Sequence, residues 1–102
     1  MNPQLRKGLL EFCVLSVLEE KDSYGYQIIK DISIYVDISE STLYPILRRM
    51  EEAGNIISYT EEYNSRLRKY FHLLDKGKEC LNSFRQEKKK LIKILEFIDR
   101  GI

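Results

Sequence analysis

The sequence predicts a mainly α chain with one small β-hairpin, in the order α-α-α-β-β-α. Three observations predict it. Apolar residues recur at spacings of three and four in four stretches, and two neighbouring runs alternate with period two. Polar clusters such as Lys21-Asp22-Ser23 and the Gly54-Asn55 pair punctuate these stretches. At 102 residues the pattern must close around one core.

The first helix is expected over residues 5–20, where Leu5, Leu9, Leu10, Val14, Val17 and Leu18 make one apolar face. Lys21-Asp22-Ser23 breaks the pattern, and Ser23 is placed to cap a second helix over 24–32. Ile28, Ile29 and Ile32 face inward there. Gly25 weakens a helix by about 1 kcal/mol relative to Ala. Its place in the first turn points either to close backbone packing or to a tolerated flaw. Between Ile34 and Ile38 the helical period is lost. A third helix is expected over 41–53, with Leu43, Ile46, Leu47 and Met50 as its apolar face and Pro45 in its first turn. Gly54 and Asn55 tolerate the left-handed conformation that ends a helix.

Residues 56–63 alternate, with Ile57, Tyr59 and Tyr63 opposed to Ser58, Thr60 and Glu62. Residues 68–73 alternate again, Lys69, Phe71 and Leu73 against Tyr70 and His72, and Asn64-Ser65-Arg66 reads as the turn between them. Asp75 is expected to cap a last helix running to about Arg100. Its apolar positions Leu81, Phe84, Leu91, Leu95 and Ile98, with Lys88 filling the gap, repeat at the spacing of a coiled-coil seam. Such a helix extends roughly 36 Å at 1.5 Å per residue, more than the rest of the domain can cover. Ile92, Ile94 and Phe97 widen its apolar surface further. It needs a partner, most simply a second copy of the chain. The expected organisation is therefore a unit over 1–74 and a dimerisation helix over 75–102 packed on it.

Three helices, a hairpin and a further helix are the order of a winged helix-turn-helix, with the third helix as recognition element and the hairpin as wing. The major groove of DNA admits one α-helix and offers distinct hydrogen-bond patterns there. Seventeen Lys and Arg against sixteen Asp and Glu leave a net charge of only +1, which is not a basic domain's signature. Local distribution is more favourable. Arg48 and Arg49 lie on the third helix and Arg66, Arg68 and Lys69 in the hairpin, whereas Glu51, Glu52, Glu61 and Glu62 are expected at the far end of that helix and the base of the wing. Adjacent Arg48 and Arg49 cannot share a face, so Arg48, one turn after Tyr44, is assigned to DNA and Arg49 to solvent or an acidic neighbour.

Other classes are poorly supported. There is no Gly-rich phosphate loop, nucleophile elbow or His-x-x-x-His pair, and His72 is the single imidazole, so no enzyme chemistry is expected. Cys13 and Cys80 lack metal-ligand spacing and read as reduced core hydrophobes, with no metal or cofactor expected. The apolar stretch over 9–18 contains Glu11 and is too short to span a bilayer. The expected setting is cytoplasmic, without a membrane partner.

Leu5-Arg6-Lys7-Gly8, Tyr24-Gly25-Tyr26, Ser41-Thr42-Leu43-Tyr44-Pro45-Ile46-Leu47, Glu51-Glu52-Ala53-Gly54 and Arg66-Leu67-Arg68-Lys69-Tyr70-Phe71 resemble, in order, the PadR family of bacterial transcriptional regulators. The resemblance covers about residues 5–81. It implies a dimeric winged-helix protein, usually a repressor, of the short subgroup that dimerises through a single C-terminal helix. Ser65, Leu67, Asn55 and Leu74 depart from the family's common Gly, Pro, Leu and Thr, which bears on wing conformation and operator sequence. Some short members bind flat aromatic drugs between Trp residues, and this chain has no Trp.

Candidate DNA-binding residues are Tyr24, Ser41, Thr42, Tyr44, Arg48, Arg66 and Lys69. For Tyr24 the alternatives are a phosphate contact or core packing, and for Ser41 and Thr42 a phosphate contact or a helix cap. The resemblance points Tyr44 into the major groove, against a half-buried structural role. Candidate dimerisation residues are Leu81, Phe84, Leu91, Leu95 and Ile98. The leading expectation is a homodimeric, sequence-specific repressor on a pseudo-palindromic double-stranded operator. A small-molecule effector at the dimer interface is compatible with it, although no residue names one. The competing expectation is a winged-helix protein–protein interaction module without specific DNA binding.

Overall fold

The computed structural model describes residues 2–100, so the outermost ends of the two expected segments, residue 1 and residues 101–102, lie outside the described residues. Five helices and three strands follow one another among them: α1 (Pro3–Glu20), β1 (Ser23–Tyr24), α2 (Gly25–Ser33), α3 (Glu40–Glu52), β2 (Ile56–Tyr63), β3 (Arg66–Leu73), α4 (Asp75–Gln86) and α5 (Lys88–Asp99). The sheet is antiparallel with order β1-β3-β2. This is a winged helix-turn-helix extended by two C-terminal helices.

Helix α1 begins earlier than its apolar period. The Asn2 side chain accepts from the Gln4 and Leu5 backbone N–H groups at 2.8 and 3.3 Å, and Pro3 takes the first helical position. Leu10, Val14, Leu15 and Leu18 are buried, while Leu5, one turn ahead of the core, is 58% exposed. Helix α2 buries Ile28 and Ile32. Helix α3 buries Leu43, Ile46, Leu47 and Met50, as its spacing demands. It ends in a Schellman motif: Gly54 has φ +80°, its N–H donates to the Glu51 carbonyl, and the Asn55 N–H donates to that of Met50. The Lys76 ammonium donates to the last free carbonyl, that of Ala53, at 2.6 Å.

Several local expectations are corrected. Ser23 is not a cap. It is extended, paired with Phe71 across β1 and β3, and buried, while Tyr24 precedes the first turn of α2. Pro45 is inside α3, not in its first turn, because the helix begins at Glu40. The wing turn has two residues, Asn64 and Ser65, both at positive φ (50° and 62°), so Arg66 is the first residue of β3, opposite Tyr63. Strand β2 turns Ile56 and Ser58 inward, leaving Ile57 and Tyr59 exposed, because Ile56 pairs with buried Leu73 and Ser58 with buried Phe71. Glu61 and Glu62 pair with Arg68 and Leu67 close to the wing tip, not at its base. Asp75 is the first residue of α4, where its charge suits the helix dipole, and Leu74 precedes it as cap. Cys80 is exposed on α4 rather than in the core.

The expected single C-terminal helix is two. Leu81 is 3% exposed in the core, and Phe84 stacks on Phe12 of α1 with ring centroids 4.0 Å apart. Arg85 pairs with Glu19 at 2.9 Å. From Gln86 to Lys90 no apolar side chain continues this anchorage. At Glu87 the backbone leaves helical values (φ −86°, ψ 2°), and its N–H bonds the Phe84 carbonyl three residues back, tightening the turn. Leu81 therefore serves its own chain's core, and Phe84 packs on α1 while staying partly exposed. Leu91, Leu95 and Ile98 lie on α5, which has no buried residue. No helix among the described residues is long and apolar enough to cross a membrane.

Gly77 carries a testable consequence. A Cβ there would sit 2.4 Å from the Asn55 carbonyl oxygen and 2.6 Å from Leu73 Cδ1. Backbone cannot yield as a side-chain tip can, so the overpacking cost outweighs the roughly 1 kcal/mol that Ala gains over Gly in a helix. Gly77→Ala is expected to destabilise by about 2 kcal/mol. A thermal melt at fixed chain concentration reads this, and an unchanged or raised midpoint would contradict it.

Candidate nucleic-acid interface

Between the start of α2, the middle of α3 and the open edge of β3 lies a cleft of about 520 Å³. It exists because β1 pairs with only two residues of β3, leaving the rest of that strand's edge uncovered. Tyr24, Tyr44, Arg66 and Lys69 all line it, together with Gly25, Tyr63 and Arg68. Tyrosines and cations dominate the lining, and no carboxylate contributes to it.

Tyr44 lies over Gly25: a Cβ on residue 25 would fall 2.4 Å from its hydroxyl oxygen. The glycine is therefore there for close packing, and the ring is 43% exposed. Tyr24 is half-buried, edge-on to Tyr70 and under the Arg68 guanidinium, so it combines packing with a place in the cleft. Arg66 and Lys69 are exposed.

The remaining candidates lie beside the cleft. Ser41 and Thr42 are in the first turn of α3. Their hydroxyls lie 2.9 and 3.2 Å from the Ser39 hydroxyl rather than capping the backbone. With Pro3, Arg6 and Lys7 they line a second depression, between the starts of α1 and α3. Arg6 donates to the Asp37 carbonyl, which ties α1 to the loop before α3. Arg48 is exposed and lines a third depression with Tyr44, Glu51 and Lys69, whereas Arg49 is ion-paired with Glu11 of α1. The division between the two arginines follows from their adjacency: one faces the α1 acid and the other faces out. Glu51 accepts from Ser58 at 2.8 Å, fixing α3 to β2.

Residue-type reasoning did not single out Arg68 and Tyr63 as site residues. The signal that finds them is register. Once Tyr24 is opposite Tyr70 and Tyr63 opposite Arg66, Arg68 is a diagonal neighbour of both tyrosines on one face.

The same face carries an anchor at its other end. Asp22 accepts from the Tyr59 hydroxyl at 2.7 Å and lies 2.7 Å from His72 Nδ1. Partial desolvation pushes the Asp22 carboxyl up, but the hydrogen bonds from His72 and Tyr59 outweigh it and hold it below its usual value. The bond to Asp22 in turn pushes the Tyr59 phenol up to about 12. The signs follow by linkage. Tyr59 contributes stability fully below the unfolded value near 10 and loses it as pH rises through about 12. Asp22 contributes above the unfolded value near 4 and loses it as pH falls through its lowered value. A tyrosinate absorbance titration should therefore show one phenol ionising near 12, and Asp22→Asn should return it toward 10. An unchanged titration in Asp22→Asn would contradict the anchor.

Comparison with known proteins bears on this arrangement. The model of the transcriptional regulator PadR-like family matches residues 14–83, from the middle of α1 into α4. A solved protein from Streptococcus mutans is 40% identical, with TM-score 0.80, covering 91% of this chain and 88% of its own. A PadR family transcription regulator from Clostridium difficile is 33% identical, with TM-score 0.80, covering 87% and 96%. A PadR-like transcriptional regulator from Bacillus cereus is 29% identical, with TM-score 0.83, covering 97% and 99%. The match runs through α3, β2 and β3 and the residues of the cleft, and the chain belongs to the PadR-like family of transcriptional regulators.

Proposed function

We propose that two copies of this chain, joined through their 75–102 segments, form a sequence-specific repressor on a pseudo-palindromic operator. The observation that carries the reading is the cleft between α3 and the wing, where Tyr24, Tyr44, Arg66 and Lys69 meet without a carboxylate. In this reading α3 enters the major groove with Tyr44 toward base edges. Ser41 and Thr42, at the helix N-terminus, meet phosphate oxygens, which a helix start favours. Arg48, Arg66 and Lys69 neutralise flanking phosphates, so affinity falls steeply with salt. Two-fold symmetry sets half-sites about 34–36 Å apart, or a multiple of that. A dimer lying across a promoter excludes the polymerase, which is the physical basis of repression. A small molecule seated between the copies would relieve it by changing the angle between recognition helices, and so the half-site spacing they fit.

Mobility shift of duplex DNA from upstream of the chain's own gene, at 150 mM salt, tests the reading. Retention of that duplex over a scrambled one of equal length is the expected result. Equal affinity for the two would overturn sequence specificity. The variant carrying Tyr44→Ala and Arg66→Ala should lose DNA while keeping the mass of the dimer. If neither protein retains DNA and both capture the same protein partner, the chain is an interaction module instead.

A further inference from the structure

Arg68 is held more closely than the other cations of the cleft: Lys69 has one ring contact, to Phe71 at 5.6 Å, and Arg68 has two shorter ones. Its guanidinium carbon lies 4.0 Å from the centroid of the Tyr24 ring and 4.1 Å from that of Tyr63. Those rings come from different elements, one in β1 just before α2 and one at the end of β2, and the ladder register brings both to Arg68. Glu61 stands directly opposite Arg68 in the ladder, yet no ion pair joins them, nor any other acid to Arg68, among the described residues. The charge is thus ordered, half-buried and uncompensated at the mouth of a cleft without carboxylates.

We propose that Arg68, positioned by Tyr24 and Tyr63, is a phosphate-binding residue of the wing; the proposal rests on the DNA-binding reading above. Aromatic contact uses the π face of the guanidinium; the Tyr70 side chain takes one in-plane N–H, and the others are left for oxygen. Those groups form a rigid fork that matches two phosphate oxygens. An arginine already held by two rings loses less rotamer freedom on binding than the freely exposed Arg66. The two tyrosines are therefore positioning residues, and their hydroxyls are not required for this role.

The test uses the full-length chain and a duplex enriched from random DNA, with affinity measured between 50 and 200 mM salt. A lost phosphate contact lowers the slope of log K against log salt by about 1, so Arg68→Gln should do so and weaken binding about tenfold. Tyr63→Leu should weaken binding with the slope unchanged, Tyr63→Phe should bind as wild type, and Tyr63→Leu should cost nothing further in the Arg68→Gln background. The slope does not depend on the folded fraction, and Arg68→Lys, which keeps the charge but not the fork, should keep the slope and lose affinity. A full slope in Arg68→Gln, or independent additive losses for Arg68 and Tyr63, would overturn the proposal. So would a full slope with lost sequence discrimination, which would make Arg68 a base reader. If wild type itself shows no preference for the enriched duplex over a scrambled one, the operator reading fails instead. The Arg68 slope remains measurable on that scrambled DNA.

Discussion

Replacing both Leu95 and Ile98 by glutamate is expected to leave each chain folded and to abolish the dimer. Helix α5 contributes nothing to the core: Leu91, Ile92, Ile94, Leu95, Phe97 and Ile98 are between 37 and 67% exposed. The substitutions therefore touch no core packing within the chain. Burying one such side chain contributes about 1.5–3 kcal/mol, so a shared face of several supplies the driving force for association. Two carboxylates per copy, placed where apolar side chains meet, reverse it by desolvation and like-charge repulsion. Sedimentation at micromolar concentration should change from twice 12.1 kDa to 12.1 kDa. Operator affinity should fall by at least about 100-fold, because the second half-site is no longer bound intramolecularly. A dimer that survives would place the interface elsewhere, with exposed Ile34 and Tyr35 after α2 the next surface to test.

The second large effect separates neighbouring residues of α3. Leu43 is fully buried in the core, and Leu43→Ala should cost about 2–5 kcal/mol of stability. For a domain of this size each kcal/mol lowers the melting midpoint by about 4–8 °C, so the variant should melt far earlier than wild type. Tyr44 is 43% exposed, and Tyr44→Ala should lower the melt much less than Leu43→Ala. Its loss should instead weaken operator binding roughly tenfold, the scale of one lost polar contact of about 1–3 kcal/mol. Measuring melt and binding on both variants checks the division. A Tyr44→Ala variant that melts as early as Leu43→Ala, or binds as wild type, would assign that ring to packing alone.

What was legible in the sequence was local. The buried face of α3 could be read from Leu43, Ile46, Leu47 and Met50, because 3.6-residue periodicity repeats within a few turns. Gly54 marks the end of that helix, whereas Gly25 leaves close packing and a tolerated flaw open, and only the fold, with Tyr44 over it, decides between them. What was not legible depended on partners distant in the chain. Ser23 is a strand residue only because Phe71 pairs with it, and a two-residue strand has no periodicity to display. In β2 the alternation was visible but not its phase: Ile56 and Ile57 are both apolar, and pairing with Leu73 decides which is buried. The wing turn is one residue shorter than its residue types suggest, because its second left-handed position is Ser65, where such turns favour Gly. The C-terminal seam spacing spanned a real break, since the same three-and-four repeat served α1 before Glu87 and an exposed face after it. Of the site, Tyr24, Tyr44, Arg66 and Lys69 are candidates from residue type and order alone, whereas their common cleft and the Arg68 contacts require the fold and the register.

Selection of duplexes from fully randomised DNA by the wild-type chain, followed by sequencing, measures the central claim most directly. The enriched sequences should be inverted repeats whose half-site centres lie one helical turn, about 34–36 Å, or a multiple apart. No enrichment, or enrichment of a single asymmetric site without its inverted copy, would contradict a symmetric pair of chains reading DNA through α3 and the wing.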